Sequence, residues 1–428
     1  MTEINRKSHP ELHKISKLNL HKPSKNKLNN GLPIFILDSG NHDVVRIDFI
    51  FSAGNWYQDK PLISRITNTM LNEGTKNYTA FEIAEKLEYY GAYIQLNNFY
   101  DFSDIVVYCL KKYLPDIIKI IEDIIKNPVF PEKELQTYIK KAKQNHIISK
   151  SKVQNLAREK FLQVLFGQNH PYGQIVETTD FDNINTGQLI SYFTRLYHSQ
   201  NCKILLSGKI DDEVVNLINN CFGGNDWCQN LNTVQIEHKI QPLNQKQTII
   251  IKDEAVQSAI RIGKQLYNYS HLDYFGMSIL NKILGGYFGS RLMTNIREDK
   301  GYTYGIGSIL VSLKNTGYFV VASEVGVEVC KNAVKEIYYE IEKLKNEYVS
   351  IDELNLVKNY ILGQMLRSFD GPFNLADSYR TIIENDLEFD FYDKFINVIN
   401  TIEPVDLINL ANKYFDTENF YEVIAGKY

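Results

Sequence analysis

Residues 284–304 read LGGYFGSRLMTNIREDKGYTY, the most informative stretch of this chain for its architecture. Gly285, Gly286 and Gly289 follow an apolar run, and residues without a Cβ let two backbones approach closely. We therefore expect a helix here that packs tightly on a sheet. A glycine-rich phosphate loop is the alternative, but no lysine follows at the required place and no strand directly precedes it.

The segments around this stretch alternate between strand and helix patterns. Period-two alternation of apolar and polar residues predicts strands, and a 3.6-residue period predicts helices. The predicted strands are 248–252, 259–264, 303–312, 316–323 and 420–424. The predicted helices are 271–284, 327–345, 352–367, 373–385 and 403–414, and Ser350 with Glu353 forms a capping box.

The first half of the chain shows the same order of elements. Thr79 and Glu82 form a capping box, and Gly91 supplies the stop of that helix. The predicted strands are 32–37, 45–51, 92–99, 104–110 and 203–207. The predicted helices are 61–73, 79–90, 113–126, 132–149, 153–166, 186–197 and 211–222.

The order of elements predicts the fold class. Strands adjoin strands and helices adjoin helices in both halves, which favours an α+β fold with largely antiparallel sheets. The repetition predicts two homologous domains, each a sheet covered by helices. We divide the chain into a polar N-terminal extension (1–30), an N-terminal domain (31–222), a linker (223–246) and a C-terminal domain (247–428).

Composition narrows the class of protein. The chain has 428 residues, of which 44% are hydrophobic and 23% charged, as in soluble globular proteins of two or three domains. A net charge of −4 gives no argument for a nucleic-acid or membrane partner. The cysteines are odd in number and scattered, which predicts reduced, buried thiols. They are Cys109, Cys202, Cys221, Cys228 and Cys330.

The N-terminal residues bear on localisation. Several basic residues lie between Arg6 and Lys27, but no apolar segment follows them, which argues against a secretory signal. An organelle transit peptide would be richer in arginine and serine. No stretch approaches the ~18 consecutive apolar residues of a membrane helix. We therefore predict a cytoplasmic protein.

Three motifs together resemble one known family. Residues 71–75 read LNEGT, residues 170–173 read HPYG, and residues 284–304 carry the stretch quoted above. In this order and spacing they resemble the pitrilysin/insulinase family of inverted-zinc metallopeptidases, the last one almost position by position. The resemblance covers roughly residues 32–425 and implies a metallopeptidase half-clamshell.

The zinc motif of that family is absent here. Active members carry H-x-x-E-H, in which the two histidines bind zinc and the glutamate activates the metal-bound water. Counting back from Gly74, the two histidine positions hold Arg65 and Thr69, and the glutamate position holds Asn68. An arginine at a ligand position repels a cation.

The family's third zinc ligand, a glutamate on a later helix, has no substitute either. Residues 135–158 contain no carboxylate, and Glu132 and Glu134 lie at the start of that predicted helix. His146 is the only imidazole there, and a lone histidine is usually a structural or surface residue. The resemblance therefore implies no catalytic residue and no bound metal in this chain.

The resemblance does assign a substrate-binding pair. Arg297 and Tyr304 match the family's arginine–tyrosine pair, which approaches bound substrate beside the zinc site. An arginine fork can bind a peptide carbonyl, and a tyrosine hydroxyl can donate to the oxyanion of an attacked peptide bond. Without the surrounding motif, Arg297 would be interpreted as a surface ion-pair residue near Glu298, and Tyr304 as a sheet-packing aromatic.

Loss of the metal site with retention of this pair is the pattern of the family's non-catalytic subunits, as in mitochondrial-processing-peptidase-like heterodimers. The resemblance implies a zinc-motif-bearing partner subunit that holds the zinc, and an unfolded peptide as substrate. The chain alone would have no catalytic activity. A strand near 93–99 resembles the edge strand on which active members lay an extended peptide, although a covered strand is equally compatible with the sequence.

Two other functions remain open. The first is a core-type structural scaffold subunit without a peptidase partner, which has no need of both Arg297 and Tyr304. The second is a stand-alone homodimer that binds peptides without cutting them. Absence of a zinc-motif partner in a pull-down would favour the scaffold subunit. Peptide affinity of the isolated chain would support the homodimer.

Overall fold

The computed structural model describes residues 20–40, 42–228 and 236–428, which form two sheets and the helices around them. The first sheet has the strand order β1-β2-β6-β3-β5-β4. Its strands are β1 (Ser24–Lys27), β2 (Pro33–Asp38), β3 (Val44–Phe51), β4 (Tyr93–Asn98), β5 (Ser103–Leu110) and β6 (Cys202–Gly208). The parallel pair β2/β6 is the one exception to antiparallel pairing among these described strands.

The second sheet repeats this arrangement. Its order is β7-β11-β8-β10-β9, with β7 and β11 parallel and the other pairs antiparallel. Its strands are β7 (Gln247–Ile251), β8 (Gln257–Leu266), β9 (Ile306–Ser312), β10 (Gly317–Gly326) and β11 (Tyr421–Gly426). Each strand from β7 to β11 thus occupies the place of one from β2 to β6, taken in chain order. The structure confirms the α+β class and the two similar sheets.

Helices follow the strands in both halves. Those of the first half are α1 (Ile63–Thr69), α2 (Ala80–Tyr89), α3 (Leu114–Lys126), α4 (Glu132–Lys150), α5 (Val153–Phe166), α6 (Thr186–Leu196) and α7 (Asp212–Phe222). Those of the second half are α8 (Tyr274–Gly285), α9 (Cys330–Asn346), α10 (Ile351–Ser368), α11 (Pro372–Glu384), α12 (Phe391–Thr401) and α13 (Pro404–Tyr414).

Gly285 explains the glycine-rich stretch at the end of α8. A Cβ on this residue would lie 2.6 Å from the backbone nitrogen of Ser308 on β9, closer than a side chain tolerates. The glycine therefore lets α8 pack directly on β9, as the sequence predicts. A π-helical turn, Met293–Asp299, follows and carries Arg297.

The two halves exchange covering helices. From the first half, α5 packs Phe161 and Leu165 against the second sheet, in a buried cluster with Val423. From the second half, α11 packs Leu375 and Tyr379 against β2 and β6 of the first sheet. Both sheets are therefore buried on two faces, and each half completes the core of the other.

Several elements differ from the sequence prediction. Ser24–Lys27, within the polar extension, forms the edge strand β1, whose side chains are all exposed and show no apolar alternation. The helix α12 was not predicted. Helix α1 is shorter than the predicted 61–73 because it ends in a 3₁₀ turn at Met70–Asn72.

The division into extension, domains and linker stays a prediction. The basic residues from Arg6 to Lys17 and the linker residues 229–235 lie outside the described part of the chain. All five cysteines are free thiols, and four of them are buried, as expected.

Candidate functional site

The residues predicted to occupy the zinc-motif positions lie on helix α1. Arg65 and Thr69 are one helical turn apart and line the same cavity, with Arg65 exposed. Asn68, on the same helix, is fully buried. The helix forms here because Ile63 and Ile66 are buried in the core above the first sheet.

Asn68 has a structural role at the position of the family's catalytic glutamate. Its Nδ2 donates to the backbone carbonyls of Asn97 on β4, at 2.9 Å, and Asp104 on β5, at 3.3 Å. Its Oδ1 accepts a 3.0 Å hydrogen bond from the hydroxyl of Tyr197. The amide thus ties α1 to two paired strands, and it has no group that could act as a general base.

A cavity of about 580 Å³ lies between α1, α4 and α5. Three cationic side chains line it, namely Arg65 on α1, Lys141 on α4 and Arg158 on α5. Glu159 is its one lining carboxylate among the described residues. The electrostatic character of this cavity is therefore cationic.

These residues do not fit a zinc ion. Zinc in proteins needs three or four ligands from Cys, His, Asp or Glu, and the cavity offers only His146 and Glu159 among its described lining residues. Within the described ranges, no group of three or more such side chains could hold a metal ion. The nearby cations add repulsion.

His146 behaves as a packed residue. Its ring lies 5.3 Å from that of Phe181, centroid to centroid. Burial, and secondly the charge of Lys150, lower the pKa of His146, so it is neutral at physiological pH. Its half-buried position matches the structural interpretation of a lone histidine.

Strand β4 is the edge of the first sheet, with a neighbouring strand on one side only. A second cavity, of about 720 Å³, runs along Leu96, Asn97 and Asn98 of β4. Arg65 and Arg158 line this cavity as well as the first. The two cavities form a continuous cleft from the sheet edge to the cationic residues.

In the second half, Arg297 of the predicted pair is half-buried and Tyr304 is exposed. Arg297 lies 4.7 Å above the ring of Phe288, and it forms no ion pair with Glu298 or with any other described residue. Tyr304 is 91% exposed and makes no hydrogen bond within the described chain. Neither the ion-pair nor the sheet-packing interpretation therefore fits. No hydrogen bond joins Arg297 to Tyr304 in the described structure.

The HPYG turn joins the two halves. The hydroxyl of Tyr172 donates to the carboxylate of Asp101, between β4 and β5, and accepts from Nδ2 of Asn315 at 3.2 Å. The other oxygen of Asp101 accepts from the backbone nitrogen of Lys314 at 3.1 Å. The tips of two hairpins, β4–β5 and β9–β10, thus meet at this turn.

Sequence analysis missed Lys141 and Arg158 as site residues. Their signal was the run 135–158, which has several cations and no carboxylate. We interpreted that run only as the loss of a zinc ligand. Lys141 lies on α4 and Arg65 on α1. That both line one cavity becomes evident only in the fold.

Comparison with known proteins identifies the family. The model described as "Insulinase (Peptidase family M16)" matches residues 36–180, and the one described as "Peptidase M16 inactive domain" matches residues 183–361. Together they cover about three quarters of the chain. The crystal structure of a peptidase M16 inactive domain from Pseudomonas fluorescens superposes with a TM-score of 0.87 at 20% identity, covering 96% of this chain and 99% of that one.

The relatives carry names of both active and inactive proteins. An uncharacterized zinc protease of Rickettsia felis is 23% identical over 91% of this chain and 94% of its own length. A probable inactive metalloprotease of Bacillus subtilis is 24% identical over 60% of this chain and 61% of its own. Mitochondrial-processing peptidase subunit alpha-1 of Dictyostelium discoideum is 25% identical over 46% of this chain and 30% of its own.

These matches agree with the fold and with the resemblance drawn from the motifs. The chain belongs to the insulinase (M16) family of peptidases, and its sequence contains no H-x-x-E-H motif.

Proposed function

We propose that this chain is the non-catalytic subunit of a heterodimeric zinc peptidase. It supplies Arg297 and Tyr304 to the zinc site of a partner subunit from the same family, and it binds no zinc itself. The substrate is an unfolded peptide. The observation that carries the proposal is the contrast between the two sites, since Asn68 is committed to structural hydrogen bonds while Tyr304 is exposed and unbonded to the described residues.

The first half supports a role without chemistry of its own. The motif positions hold an arginine, a structural amide and a threonine, and the cavity beside them is lined by three cations. A hydrolytic site needs a ligand set or a nucleophile with a base. The described residues of this region contain no metal-ligand set, and the hydroxyl of Ser149 bonds to Asn155 and not to His146.

The second half supports a role in substrate binding. The π-helical turn presents Arg297, and π-helical turns are frequent at functional sites. Contact with Phe288 orients the guanidinium without neutralising it. Its fork remains available for a peptide carbonyl, and the exposed hydroxyl of Tyr304 remains available for an oxyanion.

The partner is supported by the relatives. One of them is a subunit of a processing peptidase, named as subunit alpha-1, so the family includes members that act within complexes. A subunit that presents a substrate-binding pair and has no metal site in its described residues needs a second subunit to complete the reaction.

Two substitutions test this role in the complex of this chain with a zinc-motif subunit. Tyr304→Phe and Arg297→Ala are expected to reduce peptide turnover by about 10²–10³, since each removes a donor to the reacting peptide bond. Tyr339→Phe is the control. It removes a hydroxyl in the same way from an exposed tyrosine on α9, away from the pair. Size-exclusion chromatography should show unchanged assembly for all three variants. Full turnover by both Tyr304→Phe and Arg297→Ala would refute the assignment.

A stand-alone peptide-binding homodimer is the second candidate. The uncovered edge of β4 favours it, because an extended peptide can add to a sheet edge without any chemistry. Peptide affinity of the isolated chain, with no gain of turnover when the zinc-motif subunit is added, would support this candidate over the first.

A further inference from the structure

The cavity beside α1 contains cations that the chain leaves unpaired. On α4, Lys143 pairs with Asp182 at 2.6 Å and Lys150 pairs with Glu177 at 2.7 Å. Arg65, Lys141 and Arg158, which line the cavity, form no ion pair or hydrogen bond with the residues that the structure describes. These three side chains therefore bring unpaired positive charge to a concave part of the surface.

Such a cluster favours an anionic ligand. Like charges that face one another across a partly enclosed cavity repel, and an anion between them relieves the repulsion. Guanidinium groups match the planar geometry of a carboxylate and bind it through two parallel hydrogen bonds. Glu159 offsets only one of the three positive charges.

The cleft indicates what carries the anion. Arg65 and Arg158 also line the second cavity, which continues along β4 from Leu96 to Asn98. Strand β4 is a sheet edge, and an extended peptide can pair with such an edge through its backbone. A peptide lying there would bring its end, or a side chain near its end, to the two arginines.

We propose that this cavity, at the position of the family's metal site, binds a carboxylate of an extended peptide that lies along β4. Arg65 and Arg158 form the charged hydrogen bonds, and Lys141 adds a third positive charge. The carboxylate belongs to the peptide's C-terminus or to an acidic side chain. The site disfavours peptides that are basic at this point, and it requires no partner subunit.

Binding of labelled peptides to the full chain tests the proposal. The probe is a fluorescein-labelled peptide of valine and threonine, as long as β4, with a free C-terminal carboxylate, measured by fluorescence anisotropy. Its C-terminal amide is expected to bind about tenfold more weakly, since it loses charged hydrogen bonds. A second amide carries one glutamate next to its C-terminus. Recovered affinity would identify a side-chain carboxylate as sufficient, and no recovery would assign the site to the chain terminus.

Variants of the lining residues connect the effect to this cavity. Arg65→Gln and Arg158→Gln are each expected to weaken binding of the free-carboxylate peptide by about tenfold. Both side chains are exposed and unpaired within the described chain, so the variants should fold, which circular dichroism can verify. Lys140→Gln is the matched control, because this exposed lysine is adjacent to Lys141 and does not line the cavity.

Three results would each overturn the proposal. The first is equal affinity for the free-carboxylate peptide and its plain amide. The second is wild-type affinity in both Arg65→Gln and Arg158→Gln. The third is displacement of the peptide by inorganic phosphate at equal concentration, which would show a site for small anions only.

Discussion

At the scale of single residues, Asn68 ties helix α1 to the first sheet. A glutamate at this position would carry a charge, but the amide has donors for two carbonyls and an acceptor for the hydroxyl of Tyr197. Sequence analysis predicted the loss of the glutamate from the motif spacing. It did not predict the new role, because the three partners come from distant segments that meet only in the fold.

Asn68→Asp is therefore expected to destabilise the protein although it preserves shape. The carboxylate cannot donate to the carbonyls of Asn97 and Asp104, and we expect a loss of about 2–3 kcal/mol in the free energy of unfolding. Urea denaturation followed by circular dichroism measures it. Asn397→Asp makes the same change at an exposed position of α12 and should have little effect. Equal stability of the two variants would contradict the structural role of Asn68.

His170 predicts a pH dependence. It is buried against Trp56, Phe166 and Tyr172, and burial, together with the nearby His238, lowers its pKa to about 4 from 6.5. Between pH 4 and pH 6.5, the side chain of His170 binds a proton in the unfolded chain but not in the folded chain. Stability should therefore fall by about 2 kcal/mol as the pH decreases from 6.5 to 4.

The test of this expectation is the slope of the free energy of unfolding against pH between pH 4 and pH 6.5. His170→Gln should reduce the pH dependence of stability in that window, whatever its effect on stability at neutral pH. His42→Gln changes an exposed histidine and should leave the slope intact. An unchanged slope in His170→Gln would mean that other groups cause the acid sensitivity.

At the scale of secondary-structure elements, local signals explain which parts could be predicted. Thr79 and Glu82 form the complete capping box, since both partners are close in sequence. At Ser350 only half of the predicted box forms, because the Glu353 carboxylate instead accepts two hydrogen bonds from Arg291. A distant partner thus overrode a local pattern.

Helix α12 shows the same limit. Its asparagines and β-branched residues are weak helix formers. Its core contacts are supplied by Phe275 of α8, whose ring stacks on Phe395 at 5.1 Å and meets Phe391 at 4.8 Å. Strand β1 was missed for a related reason, as its stability comes from backbone pairing with β2.

Helix α11 is attached to the first sheet by buried ion pairs that sequence analysis did not foresee. Arg380 contacts Asp104 and Asp48 on the sheet and Glu384 on its own helix. Arg380→Met would leave the buried Asp104 without a cation, whereas Asp48 would keep its pair with Arg46, and we expect a loss of about 3–5 kcal/mol. Guanidinium denaturation measures the effect.

An exposed ion pair serves as the comparison for Arg380→Met. Lys394→Met breaks the pair with Asp390 on the surface of α12, which should cost less than about 1 kcal/mol. If both variants lost the same small amount, the buried network would not be what holds α11 on the sheet.

At the scale of the whole molecule, the two halves have similar strand orders and different predicted roles. The exchange of α5 and α11 buries both faces of each sheet and makes the halves mutually dependent. A division of the chain into consecutive domains could not reveal this exchange, since it depends on contacts between residues far apart in sequence. No described helix is long and apolar enough to span a membrane.

The same plan places two different sites in one molecule. The first half has an uncovered sheet edge and, in its described residues, no set of metal ligands, whereas the second half presents Tyr304 at the surface and Arg297 half-buried. In our proposal the chain therefore contributes to a reaction that it cannot carry out alone.

Zinc content and peptidase activity of the purified chain, alone and mixed with a zinc-motif family member from the same source, test this claim most directly. We predict no zinc and no turnover for the chain alone, and turnover above that of the zinc-motif member when the two are mixed. Bound zinc together with peptide cleavage by the chain alone would contradict the account.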